Sequence, residues 1–97
     1  MRGLGISSLS EAIKNRGIED EGLKLDIALF FVEMLGDPNS SVAEDAAEAL
    51  YAIHSNLSEE SRNVVGEALR KAYKEGRINA SPWARSIFVD LLKKYSP

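Results

Sequence analysis

The apolar residues of this chain recur at intervals of three and four, which is the spacing of one face of an α-helix. The strict alternation of apolar and polar residues that predicts a β-strand does not occur. The pattern therefore predicts an all-α fold of five helices, arranged as stacked antiparallel helical hairpins. The predicted helices run over 8–16, over 20–35, from behind Pro38 to about His54, from Ser58 to just before Gly76, and from Ser81 to the end.

Three predicted helices begin at serine residues that are suited to capping. Two serine–glutamate pairs have the spacing of a capping box, namely Ser8 with Glu11 and Ser41 with Glu44. Ser81 stands directly before Pro82, and proline is favoured at the first helical position because its missing N–H has no partner to lose there. We therefore expect the first, third and fifth helices to start at these serines.

The third, fourth and fifth helices share one arrangement of apolar positions. The sets are Val42, Ala43, Ala46, Ala47, Leu50 and Tyr51; then Val64, Val65, Ala68, Leu69, Ala72 and Tyr73; then Trp83, Ala84, Ile87, Phe88, Leu91 and Leu92. The fourth helix is offset from the third by 22 residues and the fifth by 41. A two-helix unit near this length is typical of helical-repeat arrays of ~40–47 residues. The alternative is that amphipathic helices of any origin align in this way, because a shared period imposes it.

Short turns and small residues favour close stacking of these helices. Turns as short as 36–39 and 55–58 reverse the direction of the chain, so neighbouring helices are expected to lie antiparallel. Alanines on the third helix let helix axes approach closely, and Gly66 on the fourth helix is expected to serve the same purpose.

The stretch 37–50, DPNSSVAEDAAEAL, resembles a HEAT-type repeat, especially the HEAT-like form found in phycobilisome-lyase repeats. Such repeats open with an Asp-Pro turn, continue with a valine, and end a paired-alanine helix with Ala-Leu. The matching residues are Asp37, Pro38, Val42, Ala46, Ala47, Ala49 and Leu50. Ala43 departs from the family, which usually has arginine after the valine. The resemblance covers 37–51 and implies a short α-α superhelix whose second helices, here the second and fourth, line an inner face that contacts a partner.

Composition limits the class of protein. A chain of 97 residues is long enough for one domain, and the whole chain, 1–97, is interpreted as one. The absence of cysteine excludes disulfides and thiolate chemistry, and the further absence of glutamine and threonine is typical of a heat-adapted source. The most apolar stretch, 25–35, is too short to cross a membrane, and no secretory signal opens the chain, so a cytoplasmic setting is expected.

Charge is divided unevenly between the two parts of the chain. Residues 1–60 carry 12 acidic and 4 basic side chains, a net charge of −8, whereas residues 61–97 carry 3 acidic and 8 basic side chains, a net charge of +5. Arg70, Lys74 and Arg77 form a stripe on the fourth helix, since they lie four and three residues apart. This stripe is suited to nucleic-acid phosphates, anionic lipid or an acidic protein, and it is also what an ordinary solvated helix face looks like.

No set of residues with the spacing of a catalytic or metal site is found in the sequence. His54 is the only histidine and has no partner motif, so it is interpreted as a helix-terminal cation or a half-buried side chain. Glu44, Asp45 and Glu48 lie opposite the alanine face of the third helix and are interpreted as solvated surface. The sequence predicts no enzymatic activity, no cofactor and no metal.

The function predicted from these observations is a small non-catalytic protein-interaction or scaffold module. The residues predicted to form its contact strip, acidic at one side and basic at the other, are Phe30, Glu33, Arg70, Lys74 and Arg77. Because the second helix is apolar nearly all round and Val89 lies on the outer side of the fifth, self-association through either helix is also expected. The alternative function is nucleic-acid binding by the basic C-terminal helices.

Overall fold

The computed structural model describes residues 2–15, 17–79 and 81–96, with the backbone alone described at 2–4 and 7. Five α-helices make up most of these ranges. They are α1 (Arg2–Lys14), α2 (Glu21–Met34), α3 (Ser40–Ile53), α4 (Glu59–Lys74) and α5 (Pro82–Tyr95), with one 3-10 turn, His54–Asn56, behind α3. Within these ranges no β-strand is present. The prediction of an all-α fold of five stacked helices is confirmed.

The first helix starts earlier than its capping residues predicted. α1 spans Arg2–Lys14, so Ser8 lies inside the helix and does not cap it, and the predicted end at Arg16 lies outside the described residues. Ile6 and Ile13 are both completely buried, and Ser10 between them is buried too. These three positions follow helical spacing, so the apolar face extends the helix past the expected cap.

The helix α3 starts behind Pro38 as predicted, but its capping residue was predicted wrongly. Asn39, not Ser41, is the N-cap residue, and its Oδ1 accepts hydrogen bonds from the backbone N–H groups of Ser41 at 2.9 Å and Val42 at 3.4 Å. Asparagine is among the best N-cap residues, and its side chain satisfies two of the N–H groups that a helix leaves unpaired. The capping box at Ser41 and Glu44 is therefore a coincidence of spacing.

The end of α4 and the start of α5 follow the prediction. Gly76 has φ +72°, the left-handed conformation that glycine adopts without strain. The N–H of Gly76 donates to the carbonyl of Tyr73, and the N–H of Arg77 donates to that of Ala72, which together form a Schellman motif. Ser81 is then the N-cap residue of α5, and Pro82 is its first residue, although the Ser81 side chain makes no capping hydrogen bond.

The helices form two layers. α3 lies between α1 and α5 in one layer, and α2 packs beside α4 in the other; further contacts join α2 to α3 and α4 to α5. α3 and α5 run in the same direction, since the hydroxyls of Ser40 and Ser81 meet at their starts and Tyr95 at the end of α5 donates to the carbonyl of Leu50. The molecule is consequently a slab, with extents of 34 × 32 × 16 Å.

The core lies between the layers and is built around α3. Seven residues of α3 are buried, and most of them are small: Val42, Ala43, Ala46, Ala47, Ala49, Leu50 and Ile53. α2 contributes Phe31, which is completely buried, and α5 contributes Phe88 and Leu91. Small residues on the central helix therefore face large residues on its neighbours, which fills the space between closely spaced axes.

Two helices, α4 and α5, approach each other closely at Gly66 of α4. A Cβ atom added there would lie 2.7 Å from the carbonyl oxygen of Tyr95 at the end of α5. Real Cβ atoms do not come this near to a backbone oxygen, so only glycine fits at this crossing. The expectation that Gly66 allows close stacking is confirmed.

The loops before α3 and α5 are joined through Asn79, which is buried. Its N–H donates to the carbonyl of Leu35, and its side-chain amide donates to the carbonyl of Asp37, both at 2.8 Å. Its Oδ1 accepts a hydrogen bond from the N–H of Ser81 at 2.9 Å. One side chain thus fixes the loop after α4 onto the loop after α2 and starts α5.

The contact at Gly66 predicts that Gly66→Ala destabilises the protein. In an open helix this change would add about 1 kcal/mol of stability, but here the new methyl group meets a backbone oxygen, so we expect a net loss of about 1–2 kcal/mol. Urea unfolding followed by circular dichroism measures it. Gly5→Ala is the matched control, because a Cβ on Gly5 meets nothing within 4 Å; equal effects of the two changes would contradict the packing argument.

The network around Asn79 predicts a loss of about 2–3 kcal/mol for Asn79→Ala, since buried backbone groups lose their partners. The same unfolding measurement applies, with Asn63→Ala as control because Asn63 is exposed on α4. A change below about 0.5 kcal/mol, which is ordinary for surface positions, would show that the two loops do not depend on Asn79.

Candidate protein-interaction surface

The N-termini of α2 and α4 are joined by the carboxylate of Glu21. Its Oε2 accepts a hydrogen bond from the N–H of Ser58 at 2.9 Å and another from the hydroxyl of Ser61 at 2.7 Å. Lys24, one turn further along α2, lies 3.5 Å from the same carboxylate and donates to the carbonyl of Asn56 at 3.0 Å. The first turns of both helices are therefore fixed side by side.

These hydrogen bonds favour the ionised form of Glu21. They lower its pKa from 4.5 to about 2, with the backbone N–H of Ser58 as the largest cause, followed by the Ser61 hydroxyl; burial opposes the shift and Lys24 adds to it. A carboxylate that accepts two hydrogen bonds at a helix N-terminus also interacts favourably with the helix dipole.

The C-terminal ends of α2 and α4 meet as well. A Cβ added to Gly36, just behind α2, would lie 2.8 Å from the carbonyl oxygen of Arg77, so the backbones of the two turns are in close contact. Glu33 lies three residues before Gly36 on α2 and is exposed. Glu33 and Arg77 are thus at the same end of the α2–α4 layer.

The two adjacent phenylalanines of α2 occupy opposite environments. Phe31 is 0% exposed and belongs to the core, whereas Phe30 is 38% exposed. Their ring centroids are 6.1 Å apart with a tilt of 51°, so Phe30 packs partly on Phe31 and presents its remaining surface to solvent. Phe30, which the sequence analysis placed in the contact strip, is the exposed one of the two.

The basic residues of the predicted strip are exposed and have acidic neighbours. Arg70 forms an ion pair with Glu67 on the same helix, and Arg77 forms one with Glu75 at 2.8 Å. Exposed pairs of this kind contribute about 0–1 kcal/mol, so their side chains can exchange partners at little cost. Lys74 is exposed in the last turn of α4.

The five strip residues occupy different parts of this layer. Phe30 follows Glu21 by nine residues, which is about 180° around the helix, so it lies on the flank of α2 turned away from α4. Arg70 follows Ser61 by nine residues and lies on the flank of α4 turned away from α2 for the same reason. The strip therefore spans the layer, with Phe30 and Arg70 at its two opposite edges.

The sequence analysis predicted the exposure of part of the fourth helix wrongly. Val64 and Tyr73 were placed on its buried face, but they are 39% and 48% exposed. Because α4 contacts α2 on one flank and α5 in the other layer, and no helix covers its outer side within the described chain, its buried stripe is narrower than that of α3. Tyr73 still stacks on Phe88 of α5, with ring centroids 5.4 Å apart. Leu23, 47% exposed on α2, was missed; its spacing of seven from Phe30 was the available signal.

His54 is half-buried and lies in the 3-10 turn behind α3. Its ring meets the Tyr95 ring edge-on, with centroids 4.7 Å apart. Burial lowers the pKa of His54 below its usual value, and the nearby charges of Arg62 and Lys94 lower it further. The half-buried interpretation is therefore right. On α3, Glu44 and Glu48 are exposed as predicted, while Asp45 is half-buried.

Comparison with known proteins gives no relative: no family model, curated protein or solved structure matches this chain. In the described ranges, no group of three or more histidine and acidic side chains is arranged to hold a metal ion. None of the described helices is long and apolar enough to span a membrane.

The hydrogen bonds to Glu21 predict a pH-dependent stability. A carboxylate whose pKa is lowered on folding contributes stability that is complete above pH 4.5 and is lost as the pH falls toward 2. Since the side chain is 41% exposed, solvent limits this contribution to on the order of 1 kcal/mol. Glu21→Gln is therefore expected to lower the unfolding free energy at pH 6 and to matter little at pH 2.5.

Urea unfolding at both pH values measures this difference. Glu48→Gln, which removes one exposed carboxylate from α3 without touching these hydrogen bonds, is the matched control. A Glu21→Gln effect of the same size at both pH values would show that the ionised carboxylate is not what joins α2 to α4.

Proposed function

We propose that the protein is a small non-catalytic interaction module of the HEAT-like repeat type, which binds another protein through the outer face of its α2–α4 layer. The observation that carries the proposal is the rigid, side-by-side setting of α2 and α4. Hydrogen bonds fix their N-termini and backbone contact fixes their C-terminal turns. Such a face is already ordered before binding, so little of its conformational entropy is lost when a partner binds.

The correspondence between α3 and α5 supports the repeat interpretation. Both helices contain 14 residues, and each follows a turn in which an Asx side chain accepts a hydrogen bond from the N–H two residues on. In the first turn Asp37 accepts from Asn39, and in the second Asn79 accepts from Ser81. Asp37 and Asn79 are 42 residues apart, a spacing close to the offset of 41 read from the apolar positions.

The composition of the outer face favours a protein partner. At the border of this face, on the flank of α2, Phe30 supplies an exposed aromatic ring, and aromatic anchors bordered by charged residues are typical of binding hot spots. Glu33 on α2 and Lys74 on α4 give the face opposite charges on its two helices. A partner with the complementary arrangement would gain both in affinity and in the rate of encounter.

The ion pairs favour a protein over a nucleic acid. Glu67 and Glu75 lie against Arg70 and Arg77, and carboxylates at these positions repel phosphate groups. Nucleic-acid binding requires a basic stripe that neutralises several phosphates together. Binding of nucleic acid is accordingly the second candidate function. A cytoplasmic location stays a prediction from the sequence.

A capture experiment tests the proposal. The wild-type protein and the variants Phe30→Ser, Lys74→Glu and Lys93→Glu are immobilised, and proteins retained from a lysate of the source organism are quantified by mass spectrometry. We expect one partner whose recovery falls about tenfold for the first two variants, because each removes an anchor worth about 1.4 kcal/mol or more. Lys93→Glu is the matched control, because it reverses an exposed lysine near the C-terminal end of α5, outside the layer.

Two results would contradict this function. Equal recovery of every protein by all four forms would show that the outer face has no specific partner. Salt-dependent retardation of duplex DNA that disappears in an Arg70→Glu, Lys74→Glu double variant would favour the nucleic-acid alternative instead.

A further inference from the structure

The slab has two edges at which apolar side chains are left exposed. The first edge belongs to α2, where four apolar residues follow one another at helical spacing: Leu23, Ile27, Phe30 and Met34. Leu23 is 47% exposed and Phe30 is 38% exposed, while Met34 is half-buried and Ile27 is buried. These four residues form one ridge along α2, which we call the α2 edge, and Leu23 and Phe30 are its exposed members.

The α2 edge faces away from α4. Glu21 bonds to Ser58 and Ser61 and so marks the flank of α2 that faces α4. Leu23 is two residues further on, which turns it about 160° around the helix axis relative to Glu21. In the described chain α4 is the one helix beside α2 in this layer, so the ridge lies where a further helix of the layer would stack.

The second edge belongs to α5. Lys94 lies over the Tyr51 ring of α3, 6.0 Å from its centroid, and so marks the flank of α5 that faces α3. Arg85 precedes Lys94 by nine residues, which places it about 180° around the axis, and Val89 lies one turn beyond Arg85 on the same flank. Val89 is 41% exposed. Arg85, Val89 and Leu92, with Tyr73 of α4 beside them, form what we call the α5 edge.

The two edges carry opposite charges. Asp26 and Glu33 are exposed on α2 close to the α2 edge. Arg85 lies on the α5 edge, and Arg70 lies on the flank of α4 turned the same way. This local contrast follows the whole chain, whose first 60 residues are net acidic and whose remainder is net basic. Apolar ridges of opposite charge fit each other better than either fits a copy of itself.

We propose that the protein associates head to tail with a second copy of itself, the α2 edge of one molecule packing on the α5 edge of the next. The apolar side chains of the two edges become buried together, and Asp26 and Glu33 meet the arginines beside the α5 edge. The contact places the helices of one molecule beside those of the next, so that the layers continue across the junction. Because two different surfaces meet, each molecule keeps one unused edge, and assembly proceeds beyond the dimer.

The dimensions of the slab set the strength of this association. It is 16 Å thick and 32 to 34 Å along its other sides, so one edge has an area on the order of 500 Å². Stable interfaces bury about 800 Å² on each partner, so this association is expected to be weak. It therefore forms at high micromolar concentrations of the protein. Added salt weakens it, because the charges lie at its rim.

Two single-edge variants test the proposal. Leu23→Lys puts a positive charge on the α2 edge, and Val89→Asp puts a negative charge on the α5 edge, so each change meets a like charge on the opposing surface. Sedimentation velocity of the purified protein, from about 10 μM to 1 mM to span the range of weak associations, is expected to give wild-type species that grow past the dimer. Each variant alone is expected to stay monomeric, with its dissociation constant raised about tenfold or more.

The mixture of the two variants is the decisive measurement. Leu23→Lys retains a working α5 edge and Val89→Asp retains a working α2 edge, so the equimolar mixture is expected to recover the association that neither variant shows alone. Val64→Lys, which changes an equally exposed valine on neither edge, is expected to assemble as the wild type does. Circular dichroism and thermal unfolding verify that all three variants are folded, and Leu23→Ser and Val89→Ser replace any that is not.

Other outcomes overturn the proposal. Wild-type protein that stays monomeric at 1 mM would show that the edges do not recognise each other at the limit of weak association. A Val89→Asp variant that still dimerises alone would show a two-fold contact between α2 edges instead. Neither result bears on capture through the outer face, since Lys74, whose variant tests that function, belongs to neither edge.

Discussion

The packing of the whole fold rests on the small buried side chains of α3, which let other helices pack closely around it. It is in contact with α1, α2 and α5, and four of its seven buried side chains are alanines. Larger residues would push those neighbours apart, and the aromatic rings of Phe31 and Phe88 would then no longer fill the space between the layers. The central helix therefore supplies the spacing, and the surrounding helices supply most of the apolar volume.

Polar contacts at the two ends of the helices convert this packing into a defined register. At one end the Glu21 carboxylate joins the first turns of α2 and α4, and at the other end Asn79 joins the loops that precede α3 and α5. Both groups are satisfied by several hydrogen bonds, so their partial burial costs little. Hydrophobic contact alone tolerates sliding of one helix along another, whereas these directional bonds allow only one alignment.

A slab of two thin layers buries its interior but leaves its edges and outer faces available. Three helices in one layer and two in the other give each layer two terminal flanks, and apolar residues such as Leu23 and Val89 remain exposed there. An outer face with mixed charge and two edges of opposite charge are different kinds of surface. The proposed binding of a partner and the proposed head-to-tail contact use different parts of the same architecture, apart from Phe30 and Glu33, which border both.

Helical period, the glycine at 76 and the Ser81-Pro82 pair act locally, so the sequence predicted the helical class, the number of helices, the end of α4 and the start of α5. It misjudged the start of α1 and the cap of α3, where two local signals competed, and the exposure of Tyr73, which depends on the packing of α5. The joining of elements some 40 residues apart by Glu21 and Asn79 has no local signal, and it became visible in the folded structure alone. Local patterns record what one helix can bury, whereas the packing of the other helices decides what it does bury.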